Sequence, residues 1–141
     1  MLFRSDVSGS VSGLGPATVV ARVYRDGATR PVPPYLKVLL GRDATLRGIR
    51  ADTVAADTTA AGSLELRVPV TSPLRLARVG VRAFIDAAAA YDAGAHLQDQ
   101  RFTRGVGGGV WMTATVLRLA VDVAHASTGS TRVVVSSGVA F

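Results

Sequence analysis

The sequence predicts an all-β chain: an antiparallel up-and-down meander of six to seven strands with the pattern of a partial transmembrane β-barrel. Three observations carry this. Apolar and other residues alternate over successive runs set between glycine or proline clusters. Paired charges in those runs keep to one parity, which leaves the opposite parity almost free of charge. Finally, 48% of the 141 residues are apolar, yet Arg or Asp interrupts every long run, so no window offers the ~18 apolar residues of a membrane helix.

The elements follow in order. The first dozen residues, with Ser or Gly at nearly every other position, read as one more strand or a frayed end. Ala17–Asp26 alternates weakly. Residues 27–59 form the longest irregular stretch, with Pro31, Pro33, Pro34 and the run from Gly41 to Gly48; a loop of that length inside a compact domain usually carries function. From Ser63 to Val70, Leu64, Leu66, Val68 and Val70 oppose Ser63, Glu65, Arg67 and Pro69. From Val79 to Ala87, Val79, Val81, Ala83, Ile85 and Ala87 oppose Gly80, Arg82, Phe84 and Asp86. Alanines through Ala93 tempt a helix, but the period-two core favours a strand that ends at the Asp92-Ala93-Gly94 turn.

Arg101–Met112 is less clean: Arg104 breaks the face of Phe102, Val106, Val110 and Met112, and Gly105, Gly107, Gly109 and Trp111 lie opposite. Thr115–His125 sets Leu117, Leu119, Val121 and Val123 against a face that includes Arg118 and Asp122. Arg132–Phe141 sets Val133, Val135, Ser137, Val139 and Phe141 against Arg132, Val134, Ser136, Gly138 and Ala140.

Composition narrows the chemistry. The absence of cysteine excludes a disulfide scaffold, a Cys-based zinc site and a thiol nucleophile. His96 and His125 alone make a poor metal set. Gly105–Gly109 lacks the Lys-Ser/Thr and the following helix of a phosphate loop, and no Gly-x-Ser-x-Gly is present. The expectation is therefore no catalytic residue, no metal site and no cofactor. Net charge is +6, and every cation but Lys37 is arginine. The arginines stand singly, often near an acid: Arg67 follows Glu65, Arg82 precedes Asp86 and Arg118 precedes Asp122. A nucleic-acid footprint would cluster them, so no nucleic-acid partner is expected.

A soluble antiparallel β-sandwich binding module would also alternate, burying its apolar face against a second layer. The one-sided charge, with glycine and alanine on the charged face, favours a barrel that is apolar outside and polar within. The start, Met1-Leu2-Phe3-Arg4-Ser5-Asp6, lacks the basic and apolar regions of a secretory signal. Six or seven strands are too few for the smallest membrane barrels, which have about eight. On the membrane reading, residues 1–141 are then the C-terminal part of a larger barrel, partnered by outer-membrane lipid and by missing upstream strands of the same barrel.

The order of Gly41–Ile49, Gly62–Pro69, Phe84–Ala88, Gly105–Trp111, Leu117–Ala124 and the terminal Phe141 resembles the C-terminal barrel of the bacterial surface antigen superfamily. That group comprises outer-membrane assembly factors and two-partner-secretion transporters. The resemblance implies a bacterial outer-membrane location and a role without chemical catalysis, in inserting or secreting client polypeptides; a plain pore or display barrel is the competing role. It also implies that a long loop enters the barrel with a Val/Leu-Arg-Gly-aromatic tip whose arginine pairs with acids on the inner wall. Here the tip is Leu46-Arg47-Gly48-Ile49, and the wall acids are Glu65 and Asp86. Gly138, Val139 and Phe141 fill the family's C-terminal strand signal. Ile49 replaces the usual aromatic, and Ala88 stands where glycine is frequent. The competing readings are a solvated loop arginine for Arg47 and a solvated strand carboxylate for Glu65.

Overall fold

The computed structural model describes residues 2–14, 16–40, 46–49, 54–74 and 77–139; for 2, 12–14, 38–40 and 71–74 it describes the backbone. Seven long strands form one antiparallel sheet: β1 (Leu2–Leu14), β2 (Ala17–Ala28), β5 (Thr58–Leu74), β6 (Ala77–Tyr91), β7 (Thr103–Ala114), β8 (Leu117–Ala126) and β9 (Thr131–Val139). They lie side by side in chain order, and β1 and β9 are the two edges. The sheet is an open meander, consistent with part of a barrel.

β6 runs through the alanines to Tyr91 and ends at the expected Asp92-Ala93-Gly94 turn. β5 runs longer than the alternation suggests: it begins at Thr58, because Thr58–Gly62 pairs with Ala87–Tyr91. Nearly all these residues are small, so packing gives them no apolar contrast, and their period is silent in the sequence. The weak Ala17–Asp26 run is a full strand, paired on one side with the Ser- and Gly-rich first residues and on the other with β5. The stretch between β2 and β5 is not wholly irregular. It holds a 3-10 turn at Pro34–Leu36 and a two-stranded ribbon, β3 (Val38–Leu40) with β4 (Val54–Ala56). Gly41–Thr45, on the approach to the loop tip, and Phe141 lie outside the described residues.

Register sorts the side chains into two faces. On the outer face one row runs Val68, Val81, Val110, Val121 and Val135 across β5 to β9. These positions are open; Val110 is 54% exposed and Val135 71%. Outward charge among the described strand residues is confined to Arg25, Arg104 and His125, towards the end where residues 29–57, 92–102 and 127–130 connect the strands. Arg104 therefore caps the apolar face at its edge rather than breaking its middle. The opposite end has only two-residue links, at 15–16, 75–76 and 115–116.

The inner face inverts the usual burial. Glu65, Asp86 and Asp122 are buried there, while large aliphatic residues are exposed outside. Small residues prepare this face for the loop that covers it. Gly105, Gly107 and Gly109 form a stripe along β7, each opposite an inward residue of β6: Asp86, Phe84 and Arg82. A Cβ at Gly107 would lie 2.5 Å from Phe84 Cζ, and one at Gly105 3.3 Å from Leu46 Cδ1. Glycine at these positions marks close approach of another element.

Candidate functional site: an arginine clamp on the inner wall

The loop tip rests on the inner face and supplies the core that a second layer supplies in other sheets. Leu46 is 1% exposed and packs with Tyr24 of β2, Ala61 of β5 and Ala88 of β6, with Ile49 and Ala90 at the margin. Alanine at 61 and 88 leaves room for Leu46. Gly48 sits on the end of β8, where a Cβ would lie 2.8 Å from the Ala126 backbone nitrogen. The turn after β8 and the start of β9 hold the tip by its carbonyls: Ser130 Oγ donates to Gly48 O at 2.8 Å and Arg132 Nη1 to Ile49 O at 2.9 Å. The tip thus touches β2, β5, β6, β8 and β9.

Arg47 lies at the centre. Its Nε and Nη2 form a fork on Asp86, at 2.9 Å to Oδ2 and 2.9 Å to Oδ1, and its Nη1 donates to Glu65 Oε2 at 2.6 Å. Nη2 also donates to Ser63 Oγ at 3.1 Å, and that hydroxyl donates to Asp86 Oδ1 at 2.7 Å. The backbone N–H of Arg47 adds a bond to Asp86 Oδ2 at 3.2 Å. The Phe84 ring lies beneath the guanidinium, its centroid 3.3 Å from Cζ. A planar fork can satisfy two carboxylates and stack on an aromatic face at once, which a lysine cannot do. Burial works against the charge on Arg47. The bonds and field of Asp86, and then of Glu65, outweigh it and hold the pKa above the ordinary arginine value.

The clamp extends along the wall. Glu65 Oε1 accepts from Arg67 Nε at 2.5 Å and lies 3.5 Å from Arg82 Nη1. Arg82 in turn forks onto Asp122, with Nε at 2.6 Å from Oδ1. Asp86, Arg47, Glu65, Arg82 and Asp122 alternate in one line with Arg67 as a branch at Glu65, all buried or half-buried, so the charges of three arginines and three acids compensate. The partners differ from those that sequence proximity suggests. Arg82 reaches Asp122 across β7 rather than Asp86 four residues on, because Gly109 lies between them and has no side chain. A Cβ there would collide with Asp122. Arg118 is not paired with Asp122; it is exposed at the end of β8.

A second set of contacts, with no pattern in the sequence to reveal it, fastens the base of the loop. Asp57, buried between β4 and β5, accepts from the backbone N–H of Val32 at 3.3 Å and of Ala93 at 3.0 Å. Lys37 Nζ lies 3.7 Å from it and 3.4 Å from Asp92. The Ala93 N–H is the main cause that holds the Asp57 carboxyl below its ordinary range; burial opposes it, and the Val32 N–H and Lys37 add to it. A carboxyl depressed on folding contributes stability that is complete above its unfolded pKa and is lost as pH falls through the folded value. Denaturation between about pH 5 and pH 2 should therefore weaken the wild type more steeply than Asp57→Asn. Parallel slopes would show that Asp57 does not anchor the loop.

Gly138 and Val139 stand exposed on the edge strand β9 and make no contact with the clamp. His96 and His125 are both exposed, the latter with Nδ1 2.8 Å from Thr131 Oγ1. Among the described residues, no group of three His, Cys, Asp or Glu side chains could hold a metal ion. Phe84 is the functional side chain that sequence reasoning passed over. Its signal was a large aromatic on the charged parity of β6. No protein-family model matches the chain, and no curated protein shows significant similarity to it.

Proposed function

We propose that this chain is the C-terminal part of an outer-membrane β-barrel of the bacterial surface antigen type, which inserts proteins into the outer membrane or secretes them across it. One observation carries the reading. The sheet is inside out: ion pairs are buried on the inner face, and a continuous band of exposed valine, leucine and isoleucine covers the outer face. Lipid imposes this inversion, since charge outside is costly in hydrocarbon and inward polar residues must be wet or paired. Short links at one end and long loops at the other agree with it. A soluble sandwich would need a second sheet over the outer band, and the one other described sheet is the β3–β4 ribbon.

A barrel in hydrocarbon has no free edges, so further strands must pair with β1 and β9. Seven antiparallel strands leave β1 and β9 running the same way. An odd number of added strands whose first and last run opposite to β1 and β9 closes such a sheet with antiparallel seams; a second copy in the same membrane orientation has edges that run the same way as these and gives parallel seams. The seam between β9, as the last strand, and the first of the missing upstream strands offers edge backbone on which a client strand can be templated. The clamped loop sets the shape of the lumen behind it. This clamp favours an assembly or secretion role over a plain pore, which has no need of a loop fixed to five strands.

The test is reconstitution with the protein in vesicles and a small urea-denatured barrel protein as client. The client should fold into these vesicles severalfold faster than into empty ones, and Arg47→Ala should remove the gain. Equal rates would eliminate the assembly role and leave a barrel of another use. A folded monomer in detergent-free buffer would eliminate the membrane reading itself.

A further inference from the structure

We propose that the inner face carries a phosphoryl-anion site at its short-link end, formed by Arg78 and Arg118 on either side of Thr113. Register places the three in one row across β6, β7 and β8. Strands lie ~4.8 Å apart, so the two arginine Cα atoms are about 10 Å apart with the threonine between them. Both arginines line a cavity of about 310 Å³ together with Arg67, Arg82, Trp111 and Thr113, and no acid lines it. Arg67 and Arg82 are already engaged by Glu65 and Asp122. Arg78 and Arg118 are not: among the described residues, neither has a carboxylate within ion-pair distance.

The floor of the cavity is rigid. Trp111 lies against Gly80, where a Cβ would be 2.5 Å from its ring, and its Nε1 donates to Val81 O at 3.2 Å. The indole is thereby fixed as an apolar base, and the positive charge stands around it. Arg78 and Arg118, whose charges no acid offsets among the described residues, repel one another across the cavity, and a bound anion relieves that repulsion. The donor set selects the kind of anion. One guanidinium fork occupies both oxygens of a carboxylate, whereas a phosphoryl group has a third oxygen for a second fork and the Thr113 hydroxyl. The ligand is therefore a phosphate or phosphate monoester, either free or the exposed headgroup of a lipid.

This site depends on sheet register and not on the assembly role, so the two can fail separately. The experiment is a 31P NMR titration of the chain in non-ionic detergent micelles, first with inorganic phosphate and then with short-chain phosphatidic acid, whose headgroup is a phosphate monoester. Saturable binding is expected, weakened about tenfold or more by Arg78→Gln and by Arg118→Gln, each of which removes a charge-assisted fork. Because these side chains are exposed and hold no partner, circular dichroism should show both variants folded. Arg104→Gln, which removes an arginine from the outer face, should bind as the wild type does. Binding of phosphate alone assigns a free anion, and competition by the lipid assigns a headgroup. No saturable binding of either, or an equal loss in Arg104→Gln, would overturn the proposal.

Discussion

Replacing Arg47 with alanine is expected to cost about 3–5 kcal/mol, the range found when one partner of a buried ion pair is removed. A solvated loop arginine would cost no more than about 1 kcal/mol. The difference is decided by burial: Arg47 is 7% exposed and Asp86 fully buried. Without the guanidinium, Asp86 and Glu65 face each other across the wall with no cation of the loop between them. Arg47→Lys should recover little, because one ammonium cannot fork onto Asp86, reach Glu65 and lie flat on Phe84. Urea titration of the folded protein in detergent measures all of this. In the charge swap Arg47→Glu with Glu65→Arg, the double variant should be more stable than the sum of the single losses; strict additivity would mean that the two residues do not interact directly.

The second large effect belongs to the outer face. Val121→Arg should destabilise the protein in a bilayer by about 2–4 kcal/mol, as expected for arginine on the lipid side near the midplane. The same substitution at an exposed position in water usually changes stability by less than about 0.5 kcal/mol. Val121 is the informative site because it lies midway along β8 within the valine row, with Val110 on one side and Val135 on the other. Arg104→Glu, at the edge of the band, serves as the control and should cost little. If Val121→Arg were as mild as the control in vesicles, the outer face would not be in contact with hydrocarbon.

The fold was legible where apolar and polar residues contrast at period two, as from Leu64 to Val70 and from Leu117 to Val123. It was illegible at Thr58–Gly62, where small residues occupy both faces to make room for the loop. The three-residue strands β3 and β4 are too short to show any period. In the site, the tip residues and the wall acids Glu65 and Asp86 were nameable through a family resemblance. Spacing alone put Glu65 and Asp86 on the charged parity and left the partner of Arg47 unnamed. The Arg82–Asp122 pair was hidden because it needs the register of three strands and an absent side chain at Gly109. Asp57 was hidden because its partners are backbone N–H groups, which leave no mark on side-chain pattern.

The central claim is that the face of Val81, Val110, Val121 and Val135 meets lipid. The chain contains no cysteine, so single cysteines along β8 can carry nitroxide labels without interference. In vesicles, labels at Leu119, Val121 and Val123 should be relaxed by oxygen dissolved in the bilayer and shielded from a water-soluble nickel chelate. Labels at Ala120 and Ala124, which are buried on the inner face, should be shielded from both. Outward labels relaxed by the nickel chelate and not by oxygen would contradict the account.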